Sequence, residues 1–267
     1  MSAFETFRTL HAPGKMLLLP NAWDAASARL VEDCGAEAIA TSSAAVAWAH
    51  GYPDGEALSP SILLATVAEI LRVVKIPVSV DSEAGYSSDP TKVAEYTNAL
   101  IDMGVAGINL EDGTNSPELT ARKIEAIKNA AHKKSADLFV NARADVYLKK
   151  LTAPDAMRDE TIKRGKLYAK AGADGFFAPA VTDPADMRAI ADTVALPLNI
   201  LFWSGVPSFD VMKASGVRRI SAGAGISRIA LGAARTATKQ FLEGADHPTV
   251  FKPAEGLPNM NTLLTSA

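Results

Sequence analysis

The stretch "PVSVDSEAGYSSDP", Pro77 to Pro90, starts as an apolar run and ends in acid. Val78 and Val80 read as a buried strand, and Asp81 and Glu83 follow two residues apart. Carboxylates at the end of a hydrophobic strand are costly to bury without a partner. Two later runs end the same way: "AGINLED" carries Asn109, Glu111 and Asp112, and "DLFVNARAD" carries Asn141, Arg143 and Asp145. The loop "GYPDGE" adds Asp54. Acids gathered around one arginine repel one another unless a cation joins them. All-oxygen ligation suits a hard divalent ion such as Mg²⁺, which keeps several waters and takes few direct protein ligands. No His or Cys stands at a strand end, which argues against zinc. The same acids could form ion pairs with rim Lys and Arg. Their recurrence at matching positions on successive runs favours the metal.

These residues need elements that bring them together. Eight short apolar runs recur along the chain: "KMLLLP", "AEAIATSS", "PVSVDSE", "AGINLED", "DLFVNAR", "DGFFAPA", "LPLNILF" and "RRISAGA". Runs this short and rich in Val, Ile, Leu and Phe fit strands buried on both faces of a parallel sheet. Between them lie segments of helical spacing, several opening on Ser-Pro or Asp-Pro, which suit helix N-termini. "CGAEAIA", "MGVAGIN" and "AGADGFF" repeat one pattern of helix stop, turn and strand. Eight strand-then-helix units predict a closed (β/α)8 barrel of the TIM type. An open doubly wound sheet is the alternative, but no G-x-G-x-x-G follows an early strand. With no linker or low-complexity segment, residues 1–267 read as one domain, with an irregular tail over about 246–267. Catalytic groups of such barrels stand at the C-terminal ends of strands. The acids above therefore converge on one mouth, joined by Thr41, Ser42 and Ser43 from the second strand and Asn199 and Trp203 from the seventh.

Composition excludes other classes. The net charge is −3 with no long basic run, against nucleic acid or an anionic membrane surface. No apolar stretch is long enough to span a bilayer, and "MSAFETFRTLHAPGK" lacks a leader pattern. The expectation is a cytoplasmic protein. The single cysteine, Cys34, allows no internal disulfide and reads as a packed core thiol. His11, His132 and His247 read as surface residues, and His50 as a neighbour of the mouth. No G-x-S-x-G elbow accompanies them, so a serine triad is set aside. "SAGAGISR", Ser221 to Arg228, is similar to a phosphate-binding turn, although glycine there also permits a tight βα turn.

Taken in order and at their spacing, "TSSAAVAWAHGYPDGE", "VDSEAGY", "INLED" and "NARADVYL" resemble the isocitrate lyase / phosphoenolpyruvate mutase superfamily, from about Pro20 to about Gly244. The resemblance implies a Mg²⁺-dependent (β/α)8 barrel acting on 2-oxo and 2-hydroxy acids, with Mn²⁺ as a substitute ion. It implies a homotetramer, a dimer of dimers exchanging the last helix. It assigns Asp81 as the direct metal ligand and Asp54, Glu83 and Glu111 as holders of the metal's waters. Ser42, with the backbone N–H groups of Ser43 and Ala44, corresponds to the loop that holds the substrate's carboxylate and oxo group. Arg143 corresponds to the arginine that binds a carboxylate or phosphonate. Ser42, Glu111 and Arg143 are thus the catalytic candidates, and Asn199 joins the substrate-binding set.

Two departures bear on the subclass. The isocitrate and methylisocitrate lyases carry K-K-C-G-H on a mobile loop, where this chain reads "EDGTNSPELTARK". The phosphonomutases carry a His at the end of strand six, where this chain reads "FFAPAV". The shared remainder is a metal that stabilises the enolate of a 2-oxo acid. The expected activity is a carbon–carbon lyase or decarboxylase acting on a small 2-oxo or 2-hydroxy di- or tricarboxylate. Carbon–phosphorus chemistry on a phosphonopyruvate-like acid, and a non-catalytic oxo-acid binder, are the alternatives.

Overall fold

The computed structural model describes residues 1–265. Its strands are β1 (Leu17–Leu19), β2 (Asn21–Ala22), β3 (Ile39–Thr41), β4 (Val78–Asp81), β5 (Gly107–Glu111), β6 (Phe139–Arg143), β7 (Gly175–Phe177), β8 (Leu198–Leu201) and β9 (Val217–Ser221). All pair in parallel in the order β1-β9-β8-β7-β6-β5-β4-β3-β2. The first of the eight expected strands is split in two at Pro20, which has no N–H to give a ladder. Its halves serve opposite edges: Leu18 lies beside Ile220 of β9, and Asn21 beside Ala40 of β3. Ala40 donates to the Pro20 carbonyl at 3.0 Å, so nine segments close one ring.

The helices are α1 (Ala3–Leu10), α2 (Ala25–Asp33), α3 (Ser43–Ala49), α4 (Pro60–Val73), α5 (Pro90–Asp102), α6 (Pro117–Lys133), α7 (Met157–Lys170), α8 (Pro184–Val194), α9 (Phe209–Ala214), α10 (Gly225–Leu242), α11 (His247–Phe251) and α12 (Met260–Thr265). Asp24, Asp89, Ser116, Asp183 and Ser208 each cap the following helix with a side-chain oxygen. The tail expected to be irregular holds α11 and α12; Asp246 caps α11, and Pro248 lies in its first turn. No helix among the described residues is long and apolar enough to cross a membrane.

Helix α1 closes the end of the barrel away from the mouth. Phe4, Phe7 and Leu10 form a buried cluster with Leu17, Leu19, Ala38, Ala106 and Phe139. His11, expected at the surface, is buried here instead. Its ring stacks on Phe139 at 4.5 Å, and its Nδ1–H donates to the Phe7 carbonyl at 2.8 Å. Burial, helped by the nearby Arg219, lowers its pKa to about 3, so it is neutral. Cys34 departs the other way. It caps the C-terminus of α2, where the chain turns outward, and it is exposed rather than packed in the core.

Candidate active site

A cavity of about 580 Å³ opens at the C-terminal ends of the strands. Of the expected site residues, it brings together Ser42, Ser43, Ala44, Asp54, Asp81 and Arg143 as lining. Asp81 ends β4 and is 8% exposed. Its backbone N–H donates to Thr41 Oγ1 at 2.8 Å, and its Oδ2 accepts from the Ser43 N–H at 3.1 Å. Its Oδ1 is buried with no hydrogen-bond partner. A carboxylate oxygen so placed is costly unless something positive completes it.

Glu83 lies just beyond β4 on a turn of left-handed backbone: Glu83 has φ 46°, Gly85 φ 91° and Tyr86 φ 58°. Such conformations cost non-glycine residues about 1–3 kcal/mol each and persist where the surroundings enforce them. At Gly85 a Cβ would lie 2.8 Å from Val93, so the turn also packs too closely for a side chain. The surroundings that enforce the turn are polar. Glu83 accepts from the backbone N–H of Glu56 and, at 3.3 Å, from the Tyr86 hydroxyl. Glu56 in turn accepts from the Tyr86 N–H at 2.7 Å. The buried Lys123 of α6 donates to the Ala84 carbonyl at 2.7 Å. Burial raises the Glu83 pKa to about 7, opposed by the Glu56 hydrogen bond and increased by Asp81, Asp54 and Glu56.

Glu111 ends β5 directly beside Arg143 of β6. Arg143 Nη1 is 2.7 Å from Glu111 Oε2, and its Nε and Nη2 meet the two oxygens of Asp145 at 2.6 and 3.1 Å. Burial pushes Glu111 up to about 8, with Arg143 pulling it back and Asp145 and Asp81 pushing it further. Asp112 and Asp145, also strand-end acids, are wholly buried and structural. Asp112 takes Arg164 at 2.8 Å, Tyr168 at 2.6 Å and the Asp145 N–H at 2.9 Å. Asn199 lies fully buried beneath the floor, bonded to Asn141 and Ser221, and does not line the cavity. His50 bonds Thr66 of α4 at 2.9 Å, also away from the lining. In the Gly-rich turn after β9, the Gly223 N–H is taken by Asn21 Oδ1 at 2.8 Å.

Several residues of the site escape a reading of strand ends. Asn21 also donates to the Thr41 carbonyl at 2.7 Å, so it ties two neighbouring loops together. It opens β2 directly after Pro20, so a reading that ends the first run at Pro20 passes over it. Glu56 and Lys123 carry no sequence signal: one lies in a loop, the other on a helix face. Lys149 stands 3.3 Å from Asp145 and 3.8 Å from Glu111.

The donor set fits a hard cation. Asp81 offers a partnerless buried oxygen, and Glu83 and Glu111 hold pKa values that an added positive charge would bring down. Among the described residues no three His, Cys, Asp or Glu side chains form a ready metal cage. Oxygen donors of this kind suit a hard ion such as Mg²⁺.

Against known proteins, the family model for phosphoenolpyruvate phosphomutase matches residues 7–242. An uncharacterized protein of Mycobacterium tuberculosis is 35% identical over 254 residues, 94% of each chain. The chain belongs to the phosphoenolpyruvate phosphomutase family. The 2-methylisocitrate lyase of Escherichia coli K12 is 28% identical across 75% of this chain and 74% of its own. A solved structure from Burkholderia cenocepacia J2315, assigned as a phosphonomutase, is 38% identical with a TM-score of 0.84, covering 89% of this chain and 99% of that one. The named relatives thus include both a phosphomutase family and a lyase. In this phosphomutase-family chain the connection from β5 to α6 spans only residues 112–116. It is a turn held by Asp112 N–H to the Arg143 carbonyl and Asn115 N–H to the Asp112 carbonyl, at 3.0 and 2.8 Å.

Proposed function

We propose that this chain is a Mg²⁺-dependent carbon–carbon lyase or decarboxylase that acts on a small 2-oxo or 2-hydroxy acid. The observation that carries the reading is Asp81: the residue lines the cavity, its Oδ1 is buried with no hydrogen-bond partner, and its Oδ2 is fixed by the Ser43 N–H. In this reading Asp81 holds the ion directly, and Asp54, Glu83 and Glu111 hold its waters. When bound, Mg²⁺ supplies positive charge against the enolate that develops on a 2-oxo acid. Ser42 caps α3, its hydroxyl accepting from the Ala45 N–H at 3.5 Å, and this places the start of α3 at the cavity. The Ser42 hydroxyl and the Ala44 N–H face the substrate's carboxylate and oxo group. Arg143 orients a substrate carboxylate: its Nη1 and Nη2 each keep a second N–H after Glu111 and Asp145 are served. Glu111 meets Arg143 Nη1 at 2.7 Å and so fixes the guanidinium that orients the substrate.

The short β5–α6 turn supports decarboxylation over cleavage that needs an acid on a mobile loop, since it holds neither Cys nor His. Phosphoryl-type chemistry is less well supported. The end of β7 presents Phe177 and Pro179 to the cavity, with no base or nucleophile. Calorimetric titration of Mg²⁺ and then oxalate, followed by turnover assays on a panel of 2-oxo and 2-hydroxy acids, tests the reading. Oxalate binding with no turnover across the panel would leave a binder rather than an enzyme.

A further inference from the structure

The cavity has two unlike sides. Ser42, Asp81 and Arg143 lie at the ends of β3, β4 and β6 and form a polar floor. Beyond Arg143 the lining passes to the loop after β6 and the ends of β7 and β8, and there it is apolar: Leu148, Phe177, Leu201, Phe202 and Trp203. The Arg143 guanidinium stands 5.7 Å over the Phe177 ring and marks the boundary. The apolar side is anchored. Phe202 donates its N–H to the Ser221 carbonyl at 2.8 Å, and its ring lies 5.6 Å from Phe209 of α9. Yet Phe202 is 55% and Trp203 48% exposed, much apolar ring surface to leave in water beside a polar site. The volume of about 580 Å³ falls in the range that takes a drug-sized ligand, well beyond a bare oxo diacid.

Charge sets a second limit. Among the described residues lining the cavity, the cations are Arg143 and Arg228 alone, with no Lys or His. Two guanidiniums and one metal can serve two carboxylates. A third would face the Leu148–Trp203 side, where Ser204 is the one polar side chain and no cation stands, which is costly.

We infer that the substrate has at most two carboxylates and carries a branched-alkyl or aryl group beyond C2, seated on this apolar side. The inference rests on the proposed oxo-acid reading, with C1 and C2 held at the metal and Arg143. N-substituted oxamates separate the two ideas, because they keep the C1 carboxylate and C2 oxo group, with the amide nitrogen where C3 stands and the substituent one atom beyond. The Mg²⁺-loaded full-length protein would be titrated with oxalate, oxamate, N-isobutyl oxamate and N-benzyl oxamate. Affinity should rise about fourfold per buried methylene, and at least tenfold from oxamate to N-benzyl oxamate. Trp203→Ala and, separately, Leu148→Ala should collapse that ratio to within about threefold, per molecule judged folded by circular dichroism. Oxalate binding with no gain from either substituent would overturn the inference and leave the oxo-acid reading standing. An undiminished ratio in both variants would overturn the placement on this side. Absence of oxalate binding would remove the oxo-acid reading and this inference with it. Isocitrate binding tighter than malate would refute the limit of two carboxylates.

Discussion

Arg143 Nη1 lies 2.7 Å from Glu111 Oε2, across two strands paired at the same level. The guanidinium is thus pinned before any substrate arrives, with Asp145 fixing its other edge. A planar fork can hold two carboxylates and still offer N–H groups to a third, whereas a lysine cannot. Arg143→Lys should therefore keep the fold but lose substrate affinity and turnover, by about 2–4 kcal/mol of transition-state stabilisation. If Arg143 served only Glu111 and Asp145, the variant would melt earlier, with kcat/KM per folded molecule within a few-fold of the parent. Melting temperature and kcat/KM measured on one preparation separate these outcomes.

Asp81 should dominate metal binding, because among the described carboxylates it alone leaves a buried oxygen with no hydrogen-bond partner. Asp81→Ala should abolish Mg²⁺ binding by calorimetry and any Mg²⁺-dependent turnover. Asp81→Asn should lose most of both, since it keeps an oxygen and loses the charge. Activity that persists in EDTA would exclude the metal role.

Helix α10 buries only Ser227 of its own residues, while Ile229 is 73%, Phe241 70% and Leu242 77% exposed. An amphipathic helix that leaves its large apolar groups in water needs a partner surface. A second copy of this chain is the expected partner, and a tetramer, 4 × 28.0 = 112 kDa, is the expected mass. Light scattering at micromolar concentration checks this, and a mass near 28.0 kDa would refute it. Phe241→Asp with Leu242→Asp should shift the mass downward.

The barrel was legible because buried parallel strands leave an unmistakable record: short Val, Ile and Leu runs set between Pro-opened helices. Asp81 of β4 was legible for the same reason, since its strand end places it at the mouth. Asp112 and Asp145 fit that rule equally well, yet they face inward to Arg164, Tyr168 and Arg143. Alternation along a strand says which residues share a face, but it is lost once the strand ends and the chain turns. His11 was misjudged because three apolar residues on a short terminal helix are weak evidence of burial until Phe139 is seen opposite. Asn199 stands early in β8 rather than at its end, and its depth depends on Asn141 and Ser221, which are distant in sequence.

The raised pKa values of Glu83 and Glu111 make metal binding pH-dependent with a definite sign. Burial raises Glu83 to about 7 and Glu111 to about 8, against ordinary values of 4.5. Between 4.5 and those values the folded, metal-free protein holds more protons than the unfolded chain. Its stability should then fall as pH rises through that window, because stability rises with pH only where the unfolded state binds more protons. Chelator-stripped protein should melt at a lower temperature at pH 8 than at pH 6, within the range where it remains folded. A cation needs the same carboxylates ionised, so binding expels their protons. Mg²⁺ should accordingly bind more tightly at pH 8 than at pH 6, by on the order of tenfold or more, with proton release visible as a buffer-dependent heat. Glu111→Gln should flatten most of this dependence, since it removes the group with the higher value. A Mg²⁺ affinity equal at both pH values, with no buffer-dependent heat, would show that neither glutamate is coupled to the ion.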